Sequence, residues 1–165
     1  LTDHYDPRNK VLRLSDATYG QCSVAAVGVA AHECGHAIQH ARGYAPLQFR
    51  SALVPVANFG SMIAWPLIVL GLFINSQSSA LLINIGILAF SLAVLFQLVT
   101  LPVEYNASGR AVRILAETGM MQGEEIVATK KVLNAAALTY VASAAAAILQ
   151  LVRILILTGG RRRDD

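Results

Sequence analysis

Three stretches of the chain carry no charged residue: Ala52 to Ile74, Ala80 to Leu101, and Val132 to Val152. A helix needs about 20 apolar residues to cross the hydrocarbon core of a bilayer. Each stretch is long enough, which gives transmembrane candidates at 52–74, 80–101 and 132–157. A chain of 165 residues cannot wrap several such helices in protein on all sides, so lipid is the expected surrounding. The third stretch is alanine-rich (Ala135 to Ala137, Ala142, Ala144 to Ala147), and residues this small let neighbouring helices approach closely. The pattern predicts a mainly α, multi-span helical membrane protein, folded as a single membrane-embedded domain over 1–165.

The segments between the spans are polar and short. Asp6-Pro7-Arg8-Asn9 is turn chemistry, and Lys10 to Leu14 reads as a short strand, the one β segment expected. Ser23 is an N-cap for a helix over Val24 to Ala41, which Gly43 and Pro46 end. Pro66 lies inside the first span and should kink it. Asn75 to Ser79 is a polar loop between the first two spans. Pro102 follows the second span directly and is expected to break or bend the chain there. A separate helix then runs over Val103 to Glu117 and ends at Gly119. Another begins between Gly123 and Lys131, with Glu124 and Glu125 in the first turn, where they suit the helix dipole. It runs into the third span.

Composition sharpens the membrane reading. The chain is 55% hydrophobic and 14% charged, against about 25% charged in soluble domains. The net charge of +3 says little as a total. Cys22 and Cys34 form no recognisable disulfide framework, and a reducing compartment is the simpler expectation. The chain starts at Leu1 with no cleavable signal segment, so a fragment or processed form is expected.

Within the Val24–Ala41 helix, residues 32 to 36 read His-Glu-Cys-Gly-His, an H-E-x-x-H motif. On a helix His32 and His36 fall at i and i+4 and project from one face toward one metal ion. Glu33 sits beside that ion, where it can act as general base for water. By average composition the match is roughly a one-in-a-few-hundred coincidence. The bland alternative is a solvated polar face, yet the first half of the helix is otherwise Ala, Val and Gly. Catalytic zinc takes three protein ligands and leaves a position for water. His40 shares the face of His36, but three consecutive turns of a straight helix do not converge on one tetrahedral ion, so His40 is expected to support a ligand or to sit at the surface. His4 is expected to be exposed. Glu104 directly follows the second span. Two crossings return the chain to the side of the motif, which makes Glu104 a candidate third ligand. Read from the residues alone, a glutamate favoured by its helix dipole is an equal alternative.

Residues Ala31 to Gln39 and Leu101 to Ser108 resemble the two signatures of the YugP-type neutral zinc metallopeptidases, a family of bacterial membrane proteins. Leu1 to Pro7, Leu14-Ser15 and Arg110-Ala111 share the likeness, which runs to about Leu115. The second signature is also similar to the Glu-x-x-Ala-Asp motif of HtpX-like and CAAX prenyl endopeptidases, where the glutamate binds zinc. The resemblance implies a zincin-like helix, a Zn²⁺ cofactor and Glu104 as third ligand. Ser108 stands where those relatives have aspartate; one turn after Glu104, it could still hydrogen-bond a ligand. Members of the family usually carry a further membrane helix upstream, which fits a fragment.

The function expected is a membrane-bound zinc endopeptidase with Glu33 as base, and with Tyr105, Arg110 and His40 as unranked oxyanion donors. The Lys10–Leu14 strand could receive an extended substrate by strand addition. A non-catalytic membrane scaffold or chaperone subunit with a retained zinc site is the alternative; an intact Glu33 argues against it. A transport protein is disfavoured, because the stretches 52–74, 80–101 and 132–152 hold no charge and transport pathways usually show one. The expected partners are a protein or peptide substrate, membrane proteins among them, and the lipid bilayer, with no nucleic acid; an oligomer or a membrane-protein partner stays open. Arg42, Arg50, Arg110, Arg113, Lys130 and Lys131 flank the spans on the motif side. The positive-inside rule therefore makes that side cytoplasmic, at a bacterial inner membrane. A third full crossing would carry Arg161 to Arg163 outside, against the same rule.

Overall fold

The computed structural model describes residues 3–74 and 78–159. Elements run β1 (His4–Asp6), β2 (Val11–Arg13), α1 (Val24–Ala41), α2 (Ala45–Phe73), α3 (Ser79–Glu117) and α4 (Glu124–Gly159). The architecture is mainly helical with one small N-terminal sheet, as the hydrophobic pattern predicts. Asn75 to Gln77 of the expected loop and the Arg161–Arg163 tail lie outside the described residues.

The strands pair antiparallel, Tyr5 opposite Leu12. The Asp6 carboxylate makes the turn, accepting from the Arg8 N–H at 3.0 Å and the Asn9 N–H at 3.2 Å. The turn and the second strand are legible in the sequence; β1 is not, being too short to show alternation.

Helix α1 starts where its cap is written: the Ser23 hydroxyl accepts from the Ala26 N–H at 3.2 Å. It ends in Gly43 at φ 61°, with the Tyr44 N–H donating back to the Gln39 carbonyl at 2.9 Å, a glycine-terminated C-cap. Pro46 then falls in the first turn of α2, where its missing N–H costs nothing.

Pro102 does not break the chain. Helix α3 is continuous from Ser79 to Glu117 through it, so the expected second span and the separate helix after it are one element. A helical proline forfeits its own hydrogen bond and strains the turn before it, about 3 kcal/mol. Val103, Glu104, Ala107 and Ala111, just beyond it, are 0–2% exposed, and that packing outweighs the cost. Helix α2 likewise passes through Pro55 and Pro66.

The chain divides into two compact units. The first holds Leu1–Gln48 and Thr100–Tyr140. Its apolar core is Ala31, Ala111, Leu115, Met121 and Leu133, with Val24, Val27, Val112 and Ile126 against it. Gly35 lets α1 and α3 touch: a Cβ there would run into the Ala107 carbonyl group, 3.0 Å from its carbon.

The second unit holds Phe49–Val99 and Val141–Asp165. The buried residues of α2 here are Ala57, Gly60, Ala64, Ile68 and Gly71, spaced three and four apart in one stripe. Gly60 faces the Ala89 backbone and Gly86 faces Ala64 and Ile68, the close small-residue packing usual between helices in lipid. The large apolar side chains point outward instead: Phe73 is 84% exposed, Leu149 70% and Ile156 70%. Helices α2, α3 and α4 are each long and apolar enough to cross a membrane.

Candidate metal centre

The site lies wholly within the first unit. His32 and His36 project from one face of α1, and α3 brings Glu104 to them across the Gly35–Ala107 contact. The Glu104 Oε2 atom lies 3.1 Å from His32 Nε2 and 3.6 Å from His36 Nε2. The three side chains are nearly out of solvent, at 15%, 12% and 3% exposure. One donor atom from each lies within 4.8 Å of the others. Donors about 2.1 Å from a shared tetrahedral ion stand roughly 3.4 Å apart. Two imidazoles and a carboxylate at these separations fit zinc.

Each histidine is oriented through its far nitrogen. His36 Nδ1 lies 3.0 Å from Gln39 Oε1. The Gln39 amide nitrogen donates to the Val103 carbonyl at 2.8 Å and to Asn106 Oδ1 at 3.0 Å. A carbonyl can only accept, so the amide orientation is fixed and its oxygen faces His36. His36 must then carry its proton on Nδ1, which leaves the Nε2 lone pair for an ion. His32 Nδ1 lies 3.1 Å from Ser108 Oγ. Ser108 thus touches the His32 imidazole even though it is not an aspartate.

Burial works against a charge on His36, but the hydrogen bond and charge of Glu104, helped by Gln39 and Glu33, outweigh it, and its pKa lies above the ordinary histidine value. Burial, with the Glu33 charge beside it, raises the Cys34 thiol, which keeps it neutral and a poor ligand.

Glu33 is 8% exposed. Its Oε2 accepts from the Tyr5 backbone N–H at 2.9 Å, so β1 holds the carboxylate. That segment is itself anchored. The Tyr5 hydroxyl lies 2.8 Å from His40 Nδ1, and Asp3 accepts from the Ser15 N–H at 2.7 Å and from the Ser15 and Thr18 hydroxyls at 3.1 Å each. These donors hold the Asp3 carboxyl below its usual pKa, the Ser15 N–H most of all.

A cavity of about 270 Å³ opens on the site, lined by Asp3, His32, Glu33, Glu104 and Ser108 together with part of α4. Of the donors named from sequence, Tyr105, Arg110 and His40 do not line it. Tyr105 is 45% exposed and faces a second cavity. Arg110 donates to Asn106 at 2.7 Å and lies over the Tyr44 ring. His40 is held by Tyr5. Tyr140 does line the first cavity. Tyr140, Gln39 and Asn106 join the site only in the structure. For Gln39 a signal existed: it lies three residues after His36, on the same face. For Tyr140, over 100 residues away, none did. His4 is exposed. Cys22 and Cys34 are both free thiols.

Residues 1–159 match the model of a protein family described as "Putative neutral zinc metallopeptidase". The chain is 47% identical over 162 residues to the protein described as "Putative membrane protease YugP" of Bacillus subtilis (strain 168), a match covering 98% of this chain and 71% of that protein. No solved structure matches the chain.

Proposed function

This chain belongs to the neutral zinc metallopeptidase family, and on that premise we propose that it is a membrane-bound endopeptidase in which His32, His36 and Glu104 hold zinc and Glu33 is the general base. The observation that carries the reading is the convergence of both Nε2 atoms on Glu104 Oε2, one residue from a buried carboxylate at Glu33. A purely structural site has no use for that extra carboxylate.

Zinc in such a site supplies Lewis acidity, which acidifies water toward a pKa of about 7 and polarises a carbonyl. The chain's own groups do the rest. Gln39 and Ser108 hold the imidazoles by Nδ1 so that Nε2 faces inward. The Tyr5 N–H fixes the Glu33 carboxylate. Glu33 accepts the proton of the attacking water and passes it to the leaving amine. The site works on the side of the membrane where Arg42, Arg50, Arg110, Arg113, Lys130 and Lys131 lie, the cytoplasmic face of a bacterial inner membrane by the positive-inside rule.

The test is zinc content beside peptide cleavage, for wild type and Glu33→Gln in detergent. The reading expects zinc in both and cleavage by wild type alone. Wild type without zinc would overturn it, as would zinc-loaded wild type that cleaves nothing. Glu104→Ala with unchanged zinc affinity would remove the third ligand.

A further inference from the structure

One face of α4 takes no part in holding the ion or moving the proton. Leu133, Ala136, Ala137 and Tyr140 stand at i, i+3, i+4 and i+7, a single stripe of that helix, and all four line the cavity of about 270 Å³ that holds His32, Glu33 and Glu104. Val29, one turn before Glu33 on α1, completes an apolar wall. Water attack needs no such wall; a bound side chain does.

We propose that this cavity is the subsite for a residue flanking the scissile bond, and that it selects an apolar side chain of about leucine size. The inference deepens the peptidase reading and rests on it. Size comes first. At about 30 Å³ for each water-sized group, the cavity takes on the order of nine heavy atoms; part of that space, beside His32, Glu33 and Glu104, belongs to the ion and its water, and the rest suits a side chain of leucine size. The two alanines leave the depth: Ala136 and Ala137 are the smallest residues that still carry a Cβ. Polarity comes second. A polar side chain entering between Val29, Leu133 and the alanines would lose its water there; the hydroxyl-bearing residues of the lining are Ser108, which already lies 3.1 Å from His32 Nδ1, and Tyr140.

Charge comes third. The polar end of the cavity presents the carboxylates of Asp3, Glu33 and Glu104, which repel an acidic side chain. Donors from Ser15, Thr18 and Tyr5 already occupy part of the Asp3 and Glu33 carboxylates, and the apolar wall, not these charges, sets the preference.

The test has two readouts. Zinc-loaded wild type in detergent is given a mixed peptide library and its cleavage sites are read by mass spectrometry. Leucine, isoleucine, methionine or phenylalanine should be enriched on one side of the cut, with aspartate and glutamate depleted. For a matched peptide pair differing only in leucine or glycine at that position, kcat/KM should favour leucine by roughly 10- to 100-fold. Ala137→Leu fills the cavity and should lower that ratio about tenfold; Ala136→Leu, at a more exposed position, provides the same test should Ala137→Leu fail to bind zinc. Binding of the same pair to zinc-loaded Glu33→Gln, followed by fluorescence anisotropy, should show the same preference with no turnover. Cuts with no apolar preference on either side, a preference for lysine or arginine, or an unchanged ratio in both zinc-binding variants would overturn the subsite and leave the peptidase reading intact. Zinc-loaded wild type that cleaves no peptide would remove the peptidase reading and the subsite with it.

Discussion

Gly35→Ala is the smallest change that should dismantle the site from outside its ligand set. Gly35 lies between Glu33 and His36 on α1 and faces the Ala107 backbone of α3. A Cβ built there would be 3.0 Å from the Ala107 carbonyl carbon and 3.1 Å from its Cα, and closer still to the oxygen, where ordinary contacts are 3.4–4 Å. Backbone atoms cannot swing aside as a side-chain tip can, so the helices themselves must shift apart. Glu104 and Ser108 ride on α3 and reach His32 at 3.1 Å each. Metal–ligand distances tolerate only about 0.2 Å. Overpacking of this kind costs about 1–3 kcal/mol, and each 1.4 kcal/mol is tenfold, so zinc affinity should fall roughly 5- to 150-fold. The assay is titration with metal-buffered zinc in detergent, beside peptide cleavage. Gly109→Ala is the control: a Cβ there meets nothing within 4 Å, and zinc affinity should not change. Alanine also favours the helix over glycine by about 1 kcal/mol, so helix content should not drop in either variant. Wild-type zinc affinity in Gly35→Ala would refute the claim that this helix contact sets the ligand geometry.

Further outcomes can be checked on the same preparations. Glu33→Gln should lower kcat about 10²- to 10⁴-fold at full zinc occupancy; loss of zinc with activity would make Glu33 structural. Ser108→Ala and Gln39→Leu should each weaken zinc about 10- to 100-fold by freeing an imidazole, as measured by competition with a chromophoric chelator. In chelator-treated protein the raised His36 pKa means that its pairing with Glu104 stabilises fully below the ordinary value of 6.5 and is lost as pH rises through the raised value. Thermal unfolding should therefore move to lower temperature from pH 6 to pH 9. With zinc the trend should reverse, because the ion needs the neutral imidazole. Gly60→Leu should destabilise the second unit, because Gly60 faces the Ala89 backbone; an unchanged unfolding temperature in detergent would contradict that packing.

The sequence by itself determined the mainly helical class, the three apolar spans and the pairing of His32 with His36 on one helix face. Charge-free stretches of some 20 residues have few outlets other than helices in lipid. An i, i+4 pair on a capped helix places two imidazoles on one face with a carboxylate beside them by local geometry alone, and α1 occupies the span Val24–Ala41 that Ser23 and Gly43 bracket. Everything that needed two distant segments at once was decided by the tertiary structure. Whether Pro102 ends a helix depends on the burial of Val103 to Ala111, which no local rule contains. From sequence a dipole glutamate and a ligand are equal readings of Glu104; only the packing of α3 against Gly35 brings its carboxylate beside His32 and His36. The Tyr5 N–H on Glu33, the Gln39–Asn106 bracket and the α4 wall with Tyr140 join residues 28 to over 100 positions apart. Periodicity and motif spacing report on neighbours within a few turns, whereas a metal centre is closed by side chains whose approach is set by how closely helices can pack.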